Sequence, residues 1–216
     1  MNALEALVIA RDAYLNDTFT LKDNILSFPG TDNFKDWLID LEAYEICEHK
    51  EYPGKVHDGF AKRLDYLWNQ IKLPPVGDIY VIGHSLGGAL ATLASVRLKS
   101  LGYNPIVYTF GSPRVGNKTF SEQYHITNYE RWVNRFDVVP HVPSYELIES
   151  YTHVGDLKYI NKDGKLTEKQ AALDLIGLIK HNYLTIEDHL TKNYINSISS
   201  LDQFKLSISA RKDVQQ

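Results

Sequence analysis

The chain has 216 residues, 44% of them hydrophobic and 23% charged, with a formal net charge of −4. This is ordinary globular composition with length enough for one sizeable core, so the expected organisation is a single domain over residues 1–216. The acidic balance gives no footprint for nucleic acid and no basic run for anionic headgroups, so any transient contact with a lipid interface must rest on apolar surface.

Cys47 is the sole cysteine, which excludes an internal disulfide and leaves no cysteine cluster for a metal; no metal or organic cofactor is expected. Residues 1–15 have no basic residue ahead of their apolar stretch, and Glu5 interrupts it, so they do not read as a signal peptide. As it stands the sequence reads as cytoplasmic, with secretion the alternative if a leader has been removed. No apolar run reaches the length of a transmembrane span.

In chain order, Ala3, Leu4, Leu7, Val8, Ala10 and Tyr14 recur at near-helical spacing until Asn16-Asp17 breaks the run. Ile25 to Phe28 is a short strand stopped by Pro29-Gly30, and residues 34–44 return to a helical period. From Asp58, the positions Phe60, Leu64, Leu67, Trp68 and Ile71 follow the helix repeat until Pro74-Pro75 ends it. Ile79 to Ile82 shows no polar alternation, the pattern of a strand buried on both faces of a parallel sheet.

A largely apolar helix over about 86–101 comes next. Pro105 to Phe110 is another buried strand, closed by Gly111-Ser112-Pro113, and Arg131 to Asn134 is a further candidate. Residues 151–166 read as a hairpin around Lys162-Asp163-Gly164, and Thr167 with Gln170 as a capping box opening a helix to Lys180. A last helix is expected near Glu187. Strands alternating with helices imply an α/β fold with one mostly parallel central sheet flanked by helices.

Gly83-His84-Ser85-Leu86-Gly87 carries the chemistry. In a chain with this many glycines and serines, chance supplies a bare G-x-S-x-G in roughly one case in twenty, so the context decides. The motif follows a buried strand and opens a helix, the sharp turn that lifts a serine hydroxyl out of an α/β-hydrolase sheet. The bland alternative is a serine that merely caps the helix. His84 is adjacent, but neighbouring side chains diverge at such an elbow, so it is expected to pack or hydrogen-bond beside the site.

Phe28-Pro29-Gly30-Thr31, Asp36-Trp37-Leu38, Val56 to Phe60, Gly83 to Leu90, Gly111 to Asn117 and Asp137-Val138-Val139-Pro140 occur in the order seen in the class 3, fungal-type lipases. The chain resembles that family over most of residues 20–195. It departs from it at Pro29, where the family usually has Arg, which bears on local salt bridging and the hinge of a lid.

A serine hydroxyl needs an imidazole base and a carboxylate to orient it, and in this fold they follow the serine in the order acid, then His. Asp137, just past a strand, matches the family's acid; its bland reading is a turn aspartate before Pro140. His189 sits at a helix start near the C-terminus, as the resemblance implies for the base. His153 is the runner-up, in a block that looks like part of the sheet. Tyr194 stands where the family often has an aromatic.

The elbow itself makes the Leu86 N–H one oxyanion donor. The resemblance implies Thr31 as the second, while sequence alone prefers a turn or cap there. Phe34, Trp37, Leu38 and Leu41 are spaced as an amphipathic helix, either a lid as in the family or an ordinary half-buried helix. The apolar run 171–179 is either a core helix or the lining of an acyl pocket.

The expected activity is hydrolysis of a lipid or small ester, with an acylglycerol lipase first. A phospholipase A1, an esterase for aromatic acyl esters and a non-catalytic module of the same fold are the rivals.

Overall fold

Asn2 starts the first helix because it and Glu5 satisfy one another's N–H groups, which a helix start leaves over. Its side chain accepts the Glu5 N–H at 2.9 Å while the Glu5 carboxylate accepts the Asn2 N–H at 2.8 Å, a complete capping box. In this computed structural model, which describes residues 1–31, 33, 37, 45–143, 151–167 and 187–201, helix α1 runs Ala3–Asp12 and tightens into a 3₁₀ turn, Ala13–Leu15. Strands β1 (Thr20–Lys22) and β2 (Ile25–Phe28) follow as an antiparallel pair. Next come β3 (Ile46–Glu48), β4 (Lys55–His57) and helix α2 (Asp58–Trp68), whose first turn is capped by the His57 side chain.

Strand β5 (Asp78–His84) feeds helix α3 (Leu86–Ser100), then β6 (Asn104–Phe110), β7 (Gly116–Asn117), α4 (Lys118–Glu122) and β8 (Tyr129–Asn134). Further elements among the described residues are the 3₁₀ turn Val139–His141, β9 (Tyr151–Thr152), β10 (Asp156–Ile160), β11 (Leu166–Thr167), the 3₁₀ turn Glu187–His189 and a helix, α5, over 191–201.

Among the described residues seven strands form the main sheet, in the order β1-β2-β5-β6-β8-β10-β11. The five inner strands are mutually parallel and the two edge strands antiparallel, the mostly parallel sheet expected. Both faces are covered, because successive side chains point to opposite sides. Leu26, Phe28, Ile79, Val81, Val107 and Tyr129 belong to the apolar cluster shared with α2 and α3. Ile82, Phe110, Trp132 and Ile160 belong to a second cluster with Ala6, Leu7 and Ala10 of α1 and Tyr194 and Ile198 of α5.

A second, antiparallel sheet, with the strands β3-β4-β7-β9 among the described residues, is an addition that the sequence did not announce. Its strands are two or three residues long, too short to show a period of two. It also corrects the hairpin: β10 and β11 pair around Gly164, but Tyr151–Thr152 joins β7 instead. Most of the helical segment at 34–44, Gln170 and the apolar run 171–179 lie outside the described residues.

Candidate active site

Parallel strands end on a common edge, so the residues just beyond β2, β5, β6 and β8 are brought together however far apart they are in sequence. Thr31, Ser85, Gly111 and Asp137 are those residues.

Ser85 is the N-cap of α3, with φ 58° and ψ −128°, a conformation that non-glycine residues rarely adopt. The turn is held by the Ser85 N–H bonding the Phe110 carbonyl at 3.0 Å and by close backbone approach on both sides. A Cβ on Gly83 would lie 2.1 Å from the Gly87 carbonyl oxygen, and one on Gly87 would lie 2.1 Å from that of Phe28. The capping alternative does not hold, since the Ser85 side chain makes no cap hydrogen bond. Its Oγ is buried, with no hydrogen-bond partner among the described residues.

Asp137 and His189, 52 positions apart, meet beside this turn: Nδ1 of His189 lies 2.9 Å from both carboxylate oxygens. Asp137 is 0% exposed and His189 3%. The carboxylate also accepts the Tyr194 hydroxyl at 2.6 Å and the Val139 N–H at 2.9 Å. Burial alone would push the Asp137 carboxyl up, but the neighbouring His189, with the Tyr194 and Val139 donors, outweighs it and holds it below the ordinary carboxylate range. Tyr194 is moved the other way, well up, by burial and by the Asp137 charge. A carboxylate that stays ionised keeps the proton of His189 on Nδ1, which fixes the tautomer.

Two further residues shape this pair, and sequence reasoning passed over their roles. Gly111 reads in sequence as the close of a strand and the start of a block shared with the family, yet a Cβ there would lie 2.6 Å from Asp137 Oδ2 and 2.8 Å from His189 Nδ1. Tyr14 looked like one more apolar position of the first helix, but its hydroxyl bonds His84 at 2.7 Å. A hydroxyl at the end of an apolar stripe, needing a partner once buried, was the signal available. His153 takes no part in the pair; its Nε2 bonds the Pro140 carbonyl at 2.7 Å.

Leu86 is the first residue of α3, so its N–H is among the four that an α-helix leaves without an internal partner. The Thr31 hydroxyl accepts the Asn33 N–H at 3.3 Å, as a turn residue does, and this leaves its own proton available to donate. Trp37 is half-buried, stacked on Phe60 of α2 with ring centroids 6.5 Å apart. Phe34 and Leu38 lie outside the described residues. Among the described residues no helix is long and apolar enough to cross a membrane.

A parallel sheet that carries a serine elbow after one strand and a carboxylate–imidazole pair at the same edge defines the α/β-hydrolase class. Known proteins narrow it. A family profile, lipase (class 3), matches residues 25–147. The chain is 30% identical to a lipase of Rhizopus niveus over 198 residues, covering 82% of this chain and 49% of the relative. It is 30% identical to the secreted mono- and diacylglycerol lipase 1 of Fusarium solani, covering 65% and 45% respectively. The solved triacylglyceride lipase of Rhizomucor miehei superposes with a TM-score of 0.63 at 26% identity, over 77% of this chain and 69% of that one.

The chain therefore belongs to the class 3 lipase family. It spans about half the length of the curated fungal relatives it matches.

Proposed function

We propose that the protein is a serine-dependent carboxylic ester hydrolase that cleaves acylglycerol esters. One observation carries the reading: a buried Asp137–His189 pair stands beside a strained turn whose serine hydroxyl is buried and makes no cap hydrogen bond. The choice of acylglycerols rests on the relatives, which are described as triacylglyceride and mono- and diacylglycerol lipases.

With its proton held on Nδ1, His189 presents the Nε2 lone pair as a general base. It takes the Ser85 Oγ proton as Oγ attacks the ester carbonyl carbon, and the Leu86 N–H with Thr31 receives the negative charge that develops on the carbonyl oxygen. The tetrahedral intermediate collapses as His189 returns the proton to the leaving alcohol. Water then repeats the sequence on the acyl-enzyme, releasing the acid and restoring Ser85. The Oγ–Nε2 hydrogen bond that this transfer requires forms as substrate binds, since catalytic contacts of this kind are often completed only in the complex.

The test is covalent labelling with an alkyl phosphonate ester, read by mass spectrometry, beside rates on an ester chain-length series below and above each substrate's solubility limit. Labelling confined to Ser85, and turnover reduced to a residue by Ser85→Ala, is expected. A folded protein that does not label would instead be a non-catalytic module of the family.

A further inference from the structure

His84 precedes the proposed nucleophile and is 3% exposed, its ring centroid 4.5 Å from that of His189. Both of its nitrogens are engaged away from Ser85. Nε2 lies 2.7 Å from the His189 carbonyl oxygen and Nδ1 lies 2.7 Å from the Tyr14 hydroxyl. A carbonyl can only accept, so Nε2 carries the proton; the neutral ring then has its lone pair on Nδ1, which accepts the Tyr14 O–H. Burial and the neighbouring His189 push the His84 pKa down to about 3, consistent with a ring that stays neutral. Tyr14 reaches a third segment as well: a Cβ on Gly30 would sit 2.0 Å from its hydroxyl oxygen, so this oxygen is packed against the loop leading to Thr31.

We propose that Tyr14 and His84 are positioning residues, a two-bond relay that locks the main chain of His189 to the elbow of Ser85 and to the Thr31 loop. The relay rests on the hydrolase reading above. It complements Asp137: the carboxylate fixes the His189 ring through Nδ1, and His84 fixes its backbone. Two points of attachment hold Nε2 where the serine proton is transferred, and displacements on the order of 1 Å at such a point can cost about a hundredfold in rate. A neutral His84 serves the chemistry too, because His189 becomes a cation in the transition state and a second cation at this distance would oppose it.

The test compares Tyr14→Phe, His84→Phe and His84→Gln in the full chain, with kcat and KM on a soluble ester and ¹⁵N spectra of the histidine rings. Removing the Tyr14 oxygen is expected to lower kcat about tenfold with KM unchanged. His84→Phe should lower it about a hundredfold, and His84→Gln, which keeps an N–H for the His189 carbonyl, should recover most of the loss. In the unsubstituted protein the His84 signal should be that of the neutral Nε2–H tautomer from about pH 5 to 9.

Folded variants with kcat within about twofold of the parent, or a His84 found as the Nδ1–H tautomer, would overturn the relay. If His84→Phe does not fold, Tyr14→Phe decides, since it removes a single oxygen. Phosphonate labelling of the parent keeps the two ideas apart: absence of labelling sinks the hydrolase reading, while the tautomer reports on the relay alone.

Discussion

At Asp137 three donors converge on one buried carboxylate, and the Tyr194 hydroxyl makes the shortest of those contacts, 2.6 Å, while itself accepting the Asn134 N–H at 3.1 Å. Hydrogen bonds to a charged group contribute about 1.5–3 kcal/mol each. Tyr194→Phe keeps the ring that packs edge-on against Phe110 but leaves Asp137 one donor short, so the stability measured by urea unfolding near neutral pH should fall by about that amount. Catalysis should suffer in kcat rather than KM, because the lost contact orients the proposed base through Asp137 and, on that proposal, touches no substrate. An unchanged unfolding curve would mean that the tyrosine only fills space. This residue was legible only through family resemblance, as an aromatic soon after His189. A hydroxyl aimed at a carboxylate 57 positions away leaves no mark in local spacing. Gly111 was harder still, since strand ends carry glycine for many reasons and only the fold brings it against Asp137 and His189.

The elbow joining β5 to α3 was legible as an element, because a strand without polar alternation, a glycine-serine-glycine turn and an apolar helix each leave a signal in sequence. The strands of the small antiparallel sheet left none, being too short for periodicity to register. What sequence cannot give is the conformational cost of the turn. Ser85 stands at φ 58° and ψ −128°, where a Cβ is strained by about 1–3 kcal/mol and glycine is not. Against that relief, the freer unfolded chain of a glycine variant costs about 0.4–1 kcal/mol. Ser85→Gly should therefore be about 1 kcal/mol more stable than Ser85→Ala, although both lack the proposed nucleophile. Thermal or urea unfolding of the two variants side by side decides it. If alanine proves the more stable, the turn holds no strain and the unusual backbone of Ser85 needs another cause.

Across the whole molecule, the layers were readable in advance because long elements bury their apolar faces in a regular way: β5 sends Ile79 and Val81 to one cluster and Ile82 to the other. Which histidines would be buried was not readable, since a histidine at a strand end looks the same inside or outside. The structure places several of them where protonation is opposed. Burial and the neighbouring His189 bring His84 down to about 3. Burial and the Arg114 charge bring His141 to about 4, and burial with Arg131 and Arg114 puts His153 well below its usual value. In the unfolded chain each titrates near its ordinary value of about 6.5. A folded pKa below the unfolded one means that unfolding takes up protons as the pH falls. The stabilisation is thus complete above about pH 6.5 and is lost as the pH drops toward the folded values. Asp137 acts in the same direction at lower pH, its depressed carboxyl losing its contribution only below the ordinary carboxylate range. Stability should therefore decline steadily from about pH 7 to 4, with a slope of up to about 1.4 kcal/mol per pH unit for each proton taken up. Urea unfolding at a series of pH values measures that slope directly. In His84→Gln the slope between about pH 6 and 4 should be shallower by up to one proton's worth, because that variant has no ring to protonate on unfolding. A stability that stays level between about pH 6.5 and 4.5 would show instead that these rings accept protons in the folded state, and a charged His84 beside His189 is incompatible with the base proposed for the site.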